Sequence, residues 1–227
     1  MHKHHRALGL APLSTAGSTV TGLDIAKQGP VQPVTLVRPH AAARAARFFV
    51  EKFPGRAMYA VKANPSPELL RILWDNGIAT YDVASIGEVR LVARTLPEAT
   101  LCFMHPVKAE EAIEEAYFTH GVRTFSLDSL EELEKIVRAT SREAAKLLFE
   151  TRQVADALGI CFHVGSQAMS PDAYSNAMER VRAAIVESAV TVDVIDVGGG
   201  FPSVYPGMTP PPLEAYFETI HRAFESL

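Results

Sequence analysis

Lys62 stands at the end of an apolar segment that begins at Tyr59, and Asn64 and a Ser66-Pro67 pair follow it. The apolar run is typical of a buried strand, and the Ser-Pro pair is typical of a helix start. A lysine at the mouth of a buried strand is partly removed from water, which lowers the pKa of an ammonium group and makes the amine a nucleophile. Such an amine can form an imine with an aldehyde, including that of pyridoxal phosphate (PLP). A lysine that extends its charged end into solvent is an equally good interpretation of this segment alone.

Further side chains that could bind or react follow other apolar segments. Each comes where a strand-like run ends, and the set consists of Asp82, His105, Asp128 and His163. The two aspartates can equally be helix caps, and a lone histidine is more often a hydrogen-bonded core residue. Beside a reactive lysine, however, the His163 ring could stack on a pyridine ring.

Three consecutive glycines, Gly198, Gly199 and Gly200, form another candidate site. Without side chains, successive backbone N–H groups can approach and hold a phosphate group. The triplet does not match a dinucleotide-binding fingerprint, because Phe201-Pro202 follows where a helix would begin. A tight structural turn is an alternative interpretation.

A regular alternation of strands and helices carries these residues. Strands are predicted over residues 33–38, 57–62, 79–83, 101–104, 123–127, 160–164 and 192–197. Helices are predicted over 40–52, 67–76, from 85 onward, and over 108–119, 128–139, 171–188 and 212–225. Ser85, with Glu88 three residues on, is a capping-box signature. The alternation predicts a parallel sheet, as a (β/α) barrel or an open doubly wound sheet, and barrels gather functional residues at the carboxyl ends of their strands.

The alternation breaks between residues 128 and 158. Two helical patterns follow each other there without a strand between them. Residues 146–151 could form a short strand, but the apolar stripe through 144–158 favours a helix. The strand–helix alternation is therefore expected to be interrupted over this stretch.

Composition excludes several classes of protein. The chain has 227 residues, 48% of them hydrophobic and 21% charged, and a net charge of −4, so neither disorder nor attraction to nucleic acid is expected. No apolar run reaches transmembrane length. Cys102 and Cys161 lie within predicted strands and are interpreted as small buried hydrophobes of a reducing cytoplasm. The histidines at positions 2, 4 and 5 belong to a predicted N-terminal tail over 1–32, so no metal site is predicted.

Four motifs in order give the chain a family resemblance. They are Tyr59-Ala-Val-Lys-Ala-Asn64, Tyr81-Asp-Val-Ala-Ser85 with Glu88, Phe162-His-Val-Gly-Ser166, and Asp196-Val-Gly-Gly-Gly-Phe-Pro202. Together they resemble the fold-type III PLP-dependent decarboxylases, which act on ornithine, lysine, arginine or diaminopimelate. The segments 102–108 and 124–128 are most similar to the ornithine branch.

The resemblance implies a role for each matching residue. Lys62 would form the imine with PLP, and His163 would stack on the cofactor ring. Ser166 and the backbone of Gly198, Gly199 and Gly200 would hold the phosphate. Asp82 and Glu88 match acidic positions near the lysine and the ring. The implied activity is a carboxy-lyase that converts ornithine to putrescine in polyamine biosynthesis, in the cytoplasm and as a homodimer.

The family pattern is present only in part. The implied fold is the (β/α)8 TIM barrel of the alanine racemase type over residues 33–227, with about six of the eight strands. The family pattern also has an arginine-bearing strand before the histidine motif, a Glu-Pro-Gly-Arg strand and a C-terminal β domain. None of them has a match here, and the arginine-bearing strand would fall in the break near residue 140. Poor or no decarboxylation by this chain alone is therefore expected. A non-catalytic regulatory or binding homologue, a diaminopimelate or lysine decarboxylase and a single-domain PLP carrier are the alternatives.

Overall fold

The computed structural model describes residues 21–140, 155–188 and 191–227, without the side chains of 187 and 188. The chain divides into two compact units, residues 1–38 and 39–227. Within the described part of the first unit, helix α1 spans Gly22–Lys27. It begins with a capping box, in which the Thr21 hydroxyl accepts from the Asp24 N–H and the Asp24 carboxylate accepts from the Thr21 N–H.

The strand predicted over residues 33–38 is wrong, because that stretch has no regular structure. Pro33 has no N–H to donate to a neighbouring strand. The apolar side chains of Val34 and Leu36 remain 49% and 43% exposed, so the segment also lacks a buried face.

The second unit repeats strand and helix. In order its elements are α2 (Pro39–Lys52), β1 (Met58–Ala60), α3 (Pro67–Asp75), β2 (Thr80–Val83), α4 (Ile86–Thr95), β3 (Thr100–Phe103), α5 (Glu110–Phe118), β4 (Thr124–Phe125), α6 (Leu130–Thr140), β5 (Gly159–Cys161), α7 (Asp172–Ser188), β6 (Val194–Asp196) and α8 (Leu213–Glu225). The predicted helices of this unit are confirmed within one to two residues at most ends. Most strands are shorter than predicted, whereas β3 has the predicted length and is shifted by one residue.

All strand pairs in the described residues are parallel. β1, β2, β3 and β4 form one sheet in that order, and β5 pairs with β6 in a second sheet. Ala60, Asp82, Cys102 and Thr124 stand in one row across the first sheet, and Cys161 stands opposite Asp196 in the second. Residues 141–154, and with them most of the apolar stripe over 144–158 for which a helix is predicted, lie outside the described residues. The predicted α/β class with parallel strands is confirmed.

Two apolar clusters position the strand ends. The first packs the helices over the four-stranded sheet and includes the fully buried Val61, Leu70, Tyr81, Val83, Val89 and Val92. The second joins α2, α7 and α8 to the segment after β6, and half of its residues are aromatic. Phe217 of α8 contacts Phe48 and Phe49 of α2, and Phe53 directly after it, at ring-centroid distances of 5.4–6.0 Å. Phe201, in the loop after β6, packs on the same Phe217 ring at 5.7 Å.

Candidate functional site

Lys62 lies in a short 3-10 turn, Val61–Ala63, directly after β1. The prediction that the strand continues to Lys62 is wrong, because the chain leaves the sheet at Val61, whose side chain is fully buried. The turn then places Lys62 on the exposed side, so the expected burial of this amine is also wrong. Asn64 fixes the end of the turn, since its side chain accepts from the Ser66 N–H at 3.0 Å. Lys62 is thus held at a defined place and open to an incoming aldehyde.

The buried lysine of this chain is Lys108, in the loop between β3 and α5. Its side chain is 0% exposed, and its ammonium donates to the carbonyls of His105 and Ser126 and pairs with Glu132 at 2.9 Å. Burial lowers the pKa of Lys108, and the ion pair with Glu132 opposes that change. Because every donor direction is occupied, this amine ties loops together and is not available to react. The sequence signal that could have identified this buried lysine is its position among largely apolar residues after β3.

Asp82 is the third residue of β2 and is partly buried. Burial raises the pKa of its carboxyl, the charge of Lys62 opposes that rise, and the charges of Asp196 and Glu88 add to it. Asp82 is therefore electrostatically coupled to the loop after β1 and to β6. Its neighbour Glu88 accepts from the Ala84 N–H at 2.7 Å, while Ser85 accepts from the Glu88 N–H at 3.3 Å. Ser85 is confirmed as the N-cap, but the predicted capping box is incomplete, because Glu88 accepts from the N–H of Ala84 and not from that of Ser85.

Carboxylates of both sheets act on the two cysteines. Burial raises the pKa of the Cys102 thiol, a hydrogen bond with Thr124 opposes this, and the charges of Asp196 and Asp82 add to the rise. Cys161 keeps exposed surface, yet partial burial and then the charge of Asp196 raise the pKa of its thiol as well. Asp196 of β6 therefore acts on a thiol in each sheet. No group of three metal-ligating side chains exists among the described residues.

The glycine triplet packs against the loop after β5. Gly198 and Gly200 have φ angles of +67° and +109°, which side-chain-bearing residues rarely adopt. A methyl group on Gly198 would lie 2.1 Å from the Phe162 carbonyl oxygen, and one on Gly200 would lie 2.3 Å from that of Gly165. Glycine is required at both positions, so the structural interpretation of the triplet is correct whether or not it binds a ligand.

The same loop leaves donors free for an anion. The Gly198 N–H donates to the Asp196 carboxylate at 2.8 Å. Within the part of the chain that the structure describes, the N–H groups of Gly199 and Gly200 have no protein acceptor. A methyl group on Gly199 would lie 3.9 Å from Cε1 of His163, so the histidine ring adjoins the triplet. Ser166, an exposed residue, follows Gly165 in the same loop.

The candidate residues form two linked groups. In the first group, His163 adjoins the glycine triplet and Ser166 lies in the same loop as His163. In the second group, the charges of Lys62 and Glu88 act on Asp82 of β2. His105 and Asp128 belong elsewhere: His105 accepts from the Val107 N–H at 3.2 Å, and Asp128 acts on the buried Lys108. These groups fit PLP. The exposed Lys62 amine can react with its aldehyde, the free N–H groups of the loop and the Ser166 hydroxyl can donate to its phosphate, and the His163 ring can stack on its pyridine ring.

A family model described as "Pyridoxal-dependent decarboxylase, pyridoxal binding domain" matches residues 40–156 and 139–227. The chain belongs to this family. The predicted resemblance is confirmed, and so is PLP as the cofactor that the family implies. The two matched ranges overlap over residues 139–156, where the alternation of strands and helices breaks.

Individual relatives agree with the family. The chain is 31% identical over 176 residues to a lysine/ornithine decarboxylase of Selenomonas ruminantium, over 63% of this chain and 44% of that protein. It is 27% identical over 179 residues to antizyme inhibitor 2 of Homo sapiens, over 65% of this chain and 38% of that protein. The chain therefore spans less than half the length of these relatives.

The fold is shared with a solved decarboxylase. The chain superposes with a TM-score of 0.73 and 27% identity on a Vibrio vulnificus lysine/ornithine decarboxylase complexed with cadaverine, over 90% of this chain and 61% of that chain. The predicted barrel type of fold is confirmed, with six strands among the described residues. No helix of the described residues is long and apolar enough to cross a membrane.

Proposed function

We propose that this chain binds PLP through Lys62 and contributes to decarboxylation of a basic amino acid, with ornithine as the first candidate substrate. The observation that carries the proposal is the juxtaposition of His163 with a glycine loop whose Gly199 and Gly200 N–H groups are free, in a chain with an exposed lysine after β1. When bound, PLP supplies the electron sink that accepts the charge left as the α-carboxylate departs.

Each candidate site residue would make a separate contribution to cofactor binding. The Lys62 amine would hold the cofactor covalently, and the Gly199 and Gly200 N–H groups and the Ser166 hydroxyl would bind its phosphate. The His163 ring, beside Gly199, would cover the aromatic ring. Asp82 would lie beside the cofactor imine, since burial raises the pKa of its carboxyl and the charge of Lys62 opposes that rise.

Covalent attachment is tested by borohydride reduction of the chain with PLP, followed by peptide mapping. The label is expected on the peptide that contains Lys62, and the internal comparison is the peptide that contains Lys108. Attachment at Lys108, or at no lysine, would refute the assignment of Lys62. Lys62→Arg, which keeps the charge without forming the imine, is the matched variant and should lose both the label and the imine absorbance.

The substrate is proposed at a coarser level than the cofactor. The name of the Selenomonas ruminantium relative joins lysine and ornithine, which supports a basic substrate without choosing between them. Release of carbon dioxide from carboxyl-labelled ornithine, lysine, arginine and diaminopimelate, each with saturating PLP, tests the choice. Release from diaminopimelate alone would move the assignment to the diaminopimelate branch.

A non-catalytic binding protein is the second candidate function. The similarity to antizyme inhibitor 2 favours it, since the name describes a regulator. A reconstitution spectrum separates the two candidates: the enzyme-like function requires imine absorbance on addition of PLP, and the binding function does not. We further propose a homodimer in the cytoplasm, on the family likeness and the two unpaired cysteines Cys102 and Cys161.

A further inference from the structure

Tyr174, in the first turn of α7, contacts the glycine loop at Gly199 and Phe201. Its side chain is 0% exposed, and its hydroxyl donates to the Gly199 carbonyl at 3.0 Å. Its ring stacks on Phe201, the residue after the triplet, with centroids 5.2 Å apart and planes 15° apart. One side chain therefore holds the loop both within the triplet and directly after it.

The hydroxyl contact determines which way one peptide unit faces. In a trans peptide the carbonyl and the following N–H point in opposite directions, and the described residues contain no cis peptide. Because the Gly199 carbonyl points to Tyr174, the Gly200 N–H points away from α7. That N–H has no protein acceptor among the described residues and is therefore presented to a ligand.

Other contacts keep this arrangement in place. The Gly200 carbonyl accepts from the Ala168 N–H at 2.8 Å, and the Ala168 carbonyl accepts from the Tyr216 hydroxyl at 2.7 Å. Tyr216 packs edge-on against Tyr174 at 6.0 Å. Burial raises the pKa of the Tyr174 hydroxyl above its usual range, so the group keeps its proton, and can donate it, at neutral pH.

We propose that Tyr174 is a positioning residue for phosphate binding: its buried hydroxyl orients the Gly199–Gly200 peptide so that the Gly200 N–H faces the phosphate group of the cofactor. The inference rests on the proposed function for the identity of that ligand. Tyr174 would thus control the affinity for the phosphate of the cofactor from helix α7, without contacting the reacting atoms.

The variant Tyr174→Phe removes the hydroxyl and keeps the ring. Tyr81→Phe is the matched control, since Tyr81 is also 0% exposed and its hydroxyl also donates to a backbone carbonyl, that of Leu70 at 3.1 Å. Dissociation constants are measured from imine absorbance with PLP and with pyridoxal, which has the same aldehyde without the phosphate. We expect Tyr174→Phe to bind PLP about tenfold more weakly, because the charge-assisted hydrogen bond from the Gly200 N–H to the phosphate would be partly lost. Binding of pyridoxal should be unchanged.

Tyr81→Phe should leave the ratio of the two dissociation constants as in the unaltered protein. Equal weakening of PLP and pyridoxal by Tyr174→Phe would overturn the inference, because it would show a merely structural role. An unchanged affinity for PLP would overturn it as well.

A second readout does not depend on Lys62. Glycine follows glycine in this sequence only at Gly199 and Gly200, so combined carbonyl-¹³C and amide-¹⁵N glycine labelling selects those two amides in an NMR spectrum. Inorganic phosphate should shift their signals in the unaltered protein, and Tyr174→Phe should need about tenfold more phosphate for the same shift. Equal titrations, or no response in either protein, would overturn the inference. If PLP does not react at Lys62 but phosphate shifts these signals as expected, the proposed function fails and the role of Tyr174 stands.

Discussion

Replacement of Glu132 by glutamine should destabilise the fold strongly, because Glu132 is the charge partner of a fully buried lysine. The side chains of Lys108 and Glu132 are 0% and 4% exposed, and their charged atoms are 2.9 Å apart. Removal of one member of a buried ion pair costs about 3–5 kcal/mol, since the other charge remains buried without compensation. Glutamine keeps the shape and an oxygen that can accept from the Lys108 N–H, which Glu132 now accepts at 3.2 Å.

The structure places the expected cost at the lower end of that range. The Lys108 ammonium keeps the carbonyl oxygens of His105, Pro106 and Ser126 at 3.0, 3.3 and 2.6 Å. Lys135, the second cation at Glu132, is 24% exposed and can turn into solvent. We therefore expect a loss of about 3 kcal/mol in the free energy of unfolding, a large share of the ~5–15 kcal/mol of a typical domain.

Urea unfolding followed by circular dichroism measures this loss. Glu110→Gln is the matched control on the neighbouring helix: it also breaks an ion pair, with Arg138 at 2.9 Å, but those side chains are 57% and 42% exposed. Solvent screens such a pair, so this variant should unfold almost as the unaltered protein does. Similar losses for the two variants would refute the reasoning, since burial would then not be the cause. The double variant Lys108→Met with Glu132→Leu should recover most of the loss, because apolar pairs can replace a buried ion pair.

Three other outcomes are expected from the same structure. The pKa of Glu132 is lowered, because hydrogen bonds from Lys135 and Lys108 outweigh the opposing effect of burial. The stability that this carboxylate contributes should therefore be lost as the pH falls below the usual carboxyl range. Urea midpoints measured between about pH 7 and pH 3 should decline less in Glu132→Gln than in the unaltered protein. Gly200→Ala should lower the thermal stability far more than Gly207→Ala. Both glycines have a positive φ, which costs a side-chain-bearing residue roughly 1–2 kcal/mol, but only at Gly200 would the added methyl group lie 2.3 Å from an oxygen. Equal effects of the two substitutions would contradict this. Val194, on the same face of β6 as Asp196, is 53% exposed, so concentration-dependent association is expected in sedimentation experiments, and Val194→Lys should reduce it; a stable monomer at all concentrations would count against an open apolar face.

The order of elements could be predicted from the sequence because hydrophobic periodicity and helix-start signals agree locally. Ser85 and Glu88 illustrate this agreement, since their cap is formed by residues only three apart. The strand predicted over 33–38 failed for the opposite reason. Its apolar residues suit a strand, but a strand needs a partner and a covering layer, and no local pattern reports whether either exists.

The candidate site was predictable in its chemistry and not in its geometry. His163 and Gly199 are 36 positions apart, and only the parallel pairing of β5 with β6 brings their loops together. Tyr174 gave no signal at all, because a tyrosine near a helix start is unremarkable until its hydroxyl is seen at the Gly199 carbonyl. Such contacts depend on the angle at which α7 crosses the strand ends, which side-chain patterns do not encode.

The two lysines show most clearly how the physical argument changes with structure. Desolvation was the reason to single out Lys62, yet the desolvated amine is that of Lys108, which donates to carbonyls and to Glu132 and has no room for an aldehyde. A reactive amine needs an approach path as well as a tuned pKa. Lys62 has that path, because the turn after β1 exposes it beside Asp82. Lys108, by contrast, joins the loop after β3 to the end of β4 and to α6. The buried lysine therefore ties these loops together, whereas the exposed Lys62 is the one for which we propose the reaction with PLP.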